Sequence, residues 1–496
     1  MQAQEKVKEN LIDGLEITTS VQASVSNDKT PLWLNANKYG MSSLERYNGH
    51  IRVAAQRDAN DDKRKWKWGY GVDIAAAYKF TSTIIIQQAY AELRWKAGHI
   101  TIGQKEVPME FKDNRLSSGS QTFGINARPI PQVRISVDEY QPIHFLKDWV
   151  GIKAFMSYGI ATDQRWQHEF TDKKHSYTDR MLYHQKGGYL RFGRIGAPFS
   201  VEAGIEMGCQ FGGTPYSIEG DYVKEHKTQK GFMAFIHAFI PTGKDERDGD
   251  YANVAGNHVG SYLLRANYDA KTWKLSGYID HFFEDHSGMF MMDFNGYGEG
   301  EEYQKRKSST TILYKWKDLM CGLDLTLKNF PWVDKIVVEY IYSKYQSGPY
   351  NHDRTSTISD HVAGCDDYYN HSIYNAWQHW GQVIGNPLFR SPIYNDDGVI
   401  EVKNNRMQAV HLGLHGNFGK RTEYRVLATW QQGLGTYYNP YALPRHDLSF
   451  LVEVSHYLRK DWMIRAAWGM DHGKILGNNQ GGQLTVAKKF RIKAKR

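Results

Sequence analysis

Residues 448–471, LSFLVEVSHYLRKDWMIRAAWGMD, form two arms of alternating polarity around Arg459-Lys460-Asp461. In the first arm Leu448, Phe450, Val452, Val454, His456 and Leu458 alternate with Ser449, Leu451, Glu453, Ser455, Tyr457 and Arg459. In the second, Trp462, Ile464, Ala466, Trp468 and Met470 oppose Met463, Arg465, Ala467, Gly469 and Asp471. Period two is the signature of extended strands. Each arm runs to roughly 11–12 residues, whereas a globular strand has about 5–6. A strand of a transmembrane barrel needs about 9–11, with lipid-facing side chains alternating with lumen-facing ones. Strands of this length and pattern restrict the chain to such a barrel or to an unusual soluble all-β fold.

The pattern recurs along the chain. In 84–96, Ile85, Ala89, Ala91, Leu93 and Trp95 are assigned one face and Gln88, Tyr90, Glu92, Arg94 and Lys96 the other. Segments 149–160, 258–269, 272–284, 320–330, 405–418 and 421–432 alternate similarly, and 309–317 is counted as a further strand. The total expected is 18 or 19, at most 20. Short turns join most neighbours, giving an up-and-down antiparallel meander rather than crossover units. No repeat of fixed period supports a propeller. The 32 Tyr, 14 Trp, 21 Phe and 46 Gly suit strands, tight turns and interfacial aromatic belts. No apolar run reaches the ~18 residues of a membrane helix, a test to which barrels are blind.

The expected organisation is a flexible periplasmic leader at 1–12 and a single transmembrane β-barrel over 13–496. It carries loop insertions at 107–129, 162–185, 212–256, 285–307 and 346–404. Within these, 232–240 fits a short helix or a strand, its long polar flanks favouring the helix, and the middle of 368–389 reads as helical. With both termini periplasmic, the long connections face outward. Counting strands from the two ends disagrees by one between 212 and 345.

No hydrolase elbow, phosphate loop, HExxH or CxxC is present. Asp366/Asp367 and Asp396/Asp397 are adjacent pairs that need not converge as glycosidase carboxylates must. Ser455 and His456 point to opposite faces of a strand. His361, His371 and His379, with Asp360, Asp366 and Asp367, lack metal-ligand spacing, and Asp396-Asp397-Gly398 reads as a turn. Cys209, Cys321 and Cys365 form no motif. The expectation is a non-enzyme without metal or cofactor. The formal charge of +8 is dispersed, with none of the patterning of a nucleic-acid-binding protein.

Aromatic and basic side chains of the outward segments are the candidate glycan contacts, because Tyr and Trp combine flat apolar area with a polar handle and Arg can fork onto a carboxylate. They are Trp33, Tyr39, Arg115, Arg165, Trp166, Trp377, Trp380, Tyr437 and Tyr438. Loop packing or membrane anchoring is the competing explanation for each. Glu92, Arg94, Arg128, Arg425, Glu453 and Arg465 are expected to form a lumen charge network, with Arg128 pairing Glu92 or Glu106.

The segments TPLWLNANKYG (30–40), YAELRWKAGHITIGQKE (90–106), LSSGS (116–120), NARPIPQVRI (126–135), GNHVGSY (256–262), SPIYNDDG (391–398) and GLGTYYNPY (433–441) together resemble the Wzi capsule-assembly family in its Bacteroidetes-type form. The resemblance implies an 18-stranded barrel in the outer membrane of a Gram-negative bacterium, with an occluded interior and outer loops that bind or organise capsular or other surface polysaccharide. Outer-membrane lipid is the other expected partner, and a monomer is favoured. The chain departs from the family in lacking an evident helical base and in its basic end, KKFRIKAKR. The alternative is a porin-like channel for small polar or anionic solutes; an outer-membrane enzyme acting on glycan or lipid is a third reading.

Overall fold

The computed structural model describes residues 12, 14–59, 65–194, 196–243, 255–284, 318–346 and 366–492, and the backbone of 292–293 and 310–311. Apart from Ile12, the expected leader lies outside the described residues, as do most of the 285–307 insertion and the positions of Asp360, His361 and Cys365.

Eighteen antiparallel strands form the wall. They are β1 (Glu16–Ser26), β2 (Tyr47–Arg57), β3 (Trp66–Tyr78), β4 (Ile84–Trp95), β5 (Gly98–Gln104) and β6 (Gln132–Pro142). There follow β7 (Val150–Ile160), β8 (Leu182–Phe192), β9 (Phe199–Phe211), β10 (Asn257–Asp269), β11 (Trp273–Glu284) and β12 (Leu319–Leu327). The last are β13 (Lys335–Tyr342), β14 (Met407–Asn417), β15 (Thr422–Gly435), β16 (Pro440–Tyr457), β17 (Trp462–Gly473) and β18 (Asn479–Arg491). Each pairs with its sequence neighbours, and β1 pairs with β18, so no edge remains. Closure satisfies every ladder within the wall, which is what a sheet in hydrocarbon requires.

The alternating faces are realised. Val21, Ile51, Val72, Ile102, Ile135, Leu323 and Leu448 are exposed on the outer surface, whereas Glu453, Ser455 and Asp471 are buried on the inner one. The hairpin at 448–471 has the register its polarity implies, Phe450 opposite Met470 and Val452 opposite Trp468. The turns after even-numbered strands are short and share an end with both chain termini, whereas every long connection lies at the other end. The long-loop end is therefore extracellular. At the periplasmic end Trp66 stacks on Trp95 with centroids 5.4 Å apart, and Lys488 lies 5.1 Å over Trp462, making part of an aromatic girdle.

The strand counted at 309–317 lies outside the described residues apart from the backbone of 310–311, which pairs with 292–293. β11 pairs directly with β12, so the wall strands carry no parity conflict. Two further sequence expectations change. In β4 the register slips at Gln87, where two residues oppose one: Asp73 faces Gln88 but Ile74 faces Ile86. That bulge turns Ile85 inward, away from the face expected for it. The middle of 368–389 is not helical. It forms a two-residue ladder, Gln378–His379 against Gln382–Val383, and a single 3-10 turn follows at Pro392–Tyr394. Buried aromatics here alternate irregularly with Asn, His and Gln whose side chains bond to other connections, so tertiary contacts replace the helix's own ladder. The connection after β7 holds a helix, α2 (Gln164–Thr171), and residues 182–185 already belong to β8. The helix expected near 232–240 is present as α3 (Phe232–Phe239).

Candidate functional site

Three extracellular connections fold inward. Residues 27–46 contribute a short buried helix, α1 (Leu32–Asn35), whose first amide donates to Asp471 Oδ2 at 3.0 Å. Residues 105–131 penetrate furthest. Lys112 reaches Asp280 at 2.6 Å with both side chains buried, and the Ser118 amide donates to Glu339 at 2.7 Å. Beyond these, Asp113 meets Lys335 at 2.7 Å and Arg115 meets Glu423 at 3.0 Å, where β13 and β15 leave their periplasmic turns. Residues 366–406 pack on the other two segments: His379 Nδ1 lies 2.7 Å from Arg128 O, and Asn126 Nδ2 donates to Val383 O at 3.1 Å.

Together these segments form a plug with an apolar centre. Leu32, Trp33, Leu116, Tyr369, Trp377 and Phe389 join one buried cluster with the inward wall residues Tyr183, Phe282, Met320, Ile341, Met407 and Leu451. The wall makes room with glycine. A Cβ at Gly208 would lie 2.5 Å from the Trp377 ring, and one at Gly413 would collide with the Leu116 backbone. This apolar belt differs from the uniformly polar lumen face expected from alternation.

The candidate glycan residues separate accordingly. Trp33 is buried and donates through Nε1 to Thr429 at 3.1 Å; Trp377 is buried and donates to Thr122 O at 3.1 Å. Tyr39 accepts a bond at its carbonyl from Gln87 inside the barrel, and Trp166 is buried against Phe170. Arg115 faces the periplasmic mouth rather than the outside. These five do not stand in open outward loops as expected: Trp33, Tyr39, Arg115 and Trp377 lie on connections that turn inward, and Trp166 packs from α2 against the same buried cluster. Trp380 is partly exposed and lies 4.3 Å below Arg128. Arg165 is exposed on α2, paired with Glu169 at 2.6 Å. Tyr437 and Tyr438, 43% and 66% exposed, occupy the tip between β15 and β16 with ring centroids 5.2 Å apart. On the same hairpin Arg445 stacks 3.9 Å over Tyr441, a pair that sequence reading missed. Their four-residue spacing in a strand was the available signal, since equal parity places both on one face.

Of the lumen charges, Arg425 meets Glu453 at 3.1 Å and Arg465 approaches it at 3.8 Å, while Arg94 meets Asp138 at 3.4 Å. Glu92 is bonded to His99 at 3.1 Å and to Lys105. Arg128 pairs with neither Glu92 nor Glu106. It donates to Thr81 at 3.0 Å, and burial holds its pKa down at about 10. Lys38, donating to Gln483 at 2.7 Å within the plug, is pushed down to about 7 by burial.

The geometry offers no metal cage among the described residues. His379 accepts from the Thr162 amide at 3.1 Å and donates to Arg128 O, so both nitrogens are engaged; burial lowers its pKa and favours the neutral ring. Asp396-Asp397-Gly398 is a turn in which Lys29 and Lys403 hold the two carboxylates.

A closed 18-stranded wall with a lipid-facing belt decides the class. The protein is an outer-membrane β-barrel of the Gram-negative type. Its fold is similar to that of Wzi, described as an outer membrane protein involved in group 1 capsule assembly in Escherichia coli and a carbohydrate-binding β-barrel. The identity is 12% over 96% of this chain and 85% of that one, with a TM-score of 0.57. Pseudomonas aeruginosa OprD matches at 8% identity over 97% and 96% of the two chains with a TM-score of 0.45, too distant a likeness to argue from. No family model and no curated protein matches the chain.

Proposed function

We propose that this barrel binds or organises surface polysaccharide at the cell exterior, without catalysing a reaction on it. The observation that carries the reading is the plug: three connections are spent on filling the lumen with a shared apolar core, an arrangement that favours a surface role over solute passage. The carbohydrate binding named for the similar Wzi fold supports the same direction. The contact surface in this reading is the β15–β16 hairpin, with Tyr437, Tyr438, Tyr441 and Arg445, extended by Trp380 and Arg165 at the rim. The buried rings of Trp33, Trp166 and Trp377 then shape the rim from beneath instead of touching sugar.

The test is binding of purified capsular polysaccharide to the intact protein and to Tyr438→Ala and Arg445→Ala. An exposed stacking contact is worth roughly 1 kcal/mol, so each variant is expected to bind about fivefold more weakly with an unchanged melting temperature. Unaltered affinity in both removes the hairpin from the proposal. A large, stable single-channel conductance from the wild-type protein would favour the channel reading instead.

A further inference from the structure

Helix α3 stands outside the barrel. Its Ala234, Phe235 and Ala238 pack on Tyr158, Leu182, Cys209 and Phe211. Tyr158, Cys209 and Phe211 share the parity of the lipid-facing residues Ile152, Ile160 and Phe199 on their strands. The Phe235 ring sits 5.3 Å from Tyr158 and 5.4 Å from Phe211, and Tyr158 donates its hydroxyl to Phe235 O at 2.8 Å. These contacts lie at the extracellular ends of β7, β8 and β9.

The wall beneath α3 is poorly suited to lipid. His184 and Lys186 occupy outward positions of β8, in phase with the exposed Leu190 and Phe192. The helix covers both: Phe239 lies 5.7 Å from the His184 ring, and Lys186 donates to Phe239 O. In exchange α3 presents an apolar outer surface, with Phe232 77%, Met233 55% and Ile240 52% exposed beside Ile236 and Phe239. Eight residues are too few to span a bilayer but enough to lie along an interface. A cluster of this kind facing water is what a surface protein ordinarily avoids.

We propose that α3 is an in-plane membrane anchor that replaces the polar stretch of wall at β8 and takes acyl chains of outer-leaflet lipid on Phe232, Met233, Ile236 and Ile240. Continuity identifies the occupant: the exposed face of the helix prolongs the lipid-facing belt of Ile152, Ile160 and Leu190 around the polar gap. A docked α3 also tethers residues 212–243 of its connection beside the barrel mouth.

The experiment is a spin label at Phe232→Cys in the full chain carrying Cys209→Ala, Cys321→Ala and Cys365→Ala, reconstituted into vesicles. Collision rates with oxygen and with an aqueous nickel chelate are compared with labels at Ile51→Cys on the wall and Tyr438→Cys on the extracellular tip. The oxygen-to-nickel ratio is expected to match Ile51 and to exceed Tyr438 several-fold. A ratio like that of Tyr438 places the helix in water and overturns the proposal. Shielding from both reagents means that protein covers it, a second copy included, and overturns it equally. Because Cys209 lies under the helix, a photo-cross-linking phenylalanine analogue at position 232 of the otherwise native chain in cells is the companion test. Lipid adducts are expected; protein adducts alone, or none where the same group at position 51 yields lipid adducts, refute the anchor.

Discussion

Replacing Trp377 by alanine removes the ring that joins the 366–406 segment to the rest of the plug. The side chain is fully buried, its Nε1 donates to Thr122 O at 3.1 Å, and its ring meets Tyr183 with centroids 5.4 Å apart. An aromatic side chain buries about 150–250 Å², worth ~4–6 kcal/mol at about 25 cal/mol per Å². Measured Trp→Ala changes in cores fall at roughly 3–5 kcal/mol, and the orphaned Thr122 carbonyl adds about 1 kcal/mol. The wall ladders do not run through Trp377, so the loss falls on plug docking rather than on the barrel. A change of ~4 kcal/mol raises the population of the undocked plug about a thousandfold. Amide exchange read by mass spectrometry should show lost protection across 105–131 and 366–406, with the strands unchanged. Gly208→Ala attacks the same contact from the wall, since its new methyl would lie 2.5 Å from the ring; overpacking of this kind costs about 1–3 kcal/mol and should expose the same segments more mildly. If both variants retain native protection in the two segments, the plug is not held by this core and the reasoning fails.

Other perturbations give separable results. Lys112→Met leaves Asp280 charged and unpartnered by lysine in a buried site and should destabilise the protein by about 3–5 kcal/mol, whereas adding Asp280→Leu should restore much of that; a double variant no more stable than the single one contradicts the assignment. Lys38, with its folded pKa near 7 against an ordinary 10.5, binds fewer protons in the docked plug than in the released one between those values. Docking therefore strengthens as pH rises from about 7 towards 10.5 and bears the full desolvation penalty below 7. Proteolytic release of the plug should slow correspondingly, and Lys38→Met should flatten the profile; a parallel slope in that variant would assign the dependence elsewhere. Trp166→Ala, which empties a buried position against Phe170 and Gly381, should loosen α2 by roughly 3–5 kcal/mol without lowering barrel yield, read by exchange at 161–181.

Alternation along one strand determined the wall. Whether Val452 meets lipid or Glu453 meets the interior follows from period two alone, because a strand in a closed sheet has two sides with opposite solvents and its neighbours cannot change which side is which. The pattern at 448–471, its short turn and its outward Trp462 and Trp468 were legible in that way. At 232–240 the sequence fits helix or strand, and the structure decides for a helix that lies outside the barrel. Parity misled where a local irregularity intervened, at the Gln87 bulge.

The connections obeyed a different logic. Trp33 bonds to Thr429, Lys112 to Asp280 and Arg115 to Glu423, partners separated by 396, 168 and 308 positions. No local pattern distinguishes an aromatic loop that reaches out to a ligand from one that turns in to fill a lumen, since both need the same residue types. The choice depends on the space that eighteen strands enclose and on wall positions such as Gly208 and Gly413 that open it. The sequence by itself determined a membrane wall and the orientation of its faces; only the tertiary structure decided that Trp33 and Trp377 are plug core, that Trp166 packs against that core from α2, and that Tyr437 and Tyr438 remain on the surface. The physical reason is that burial of a strand face is set by its own periodicity, whereas burial of a loop ring is set by the shape of a cavity assembled from the whole chain.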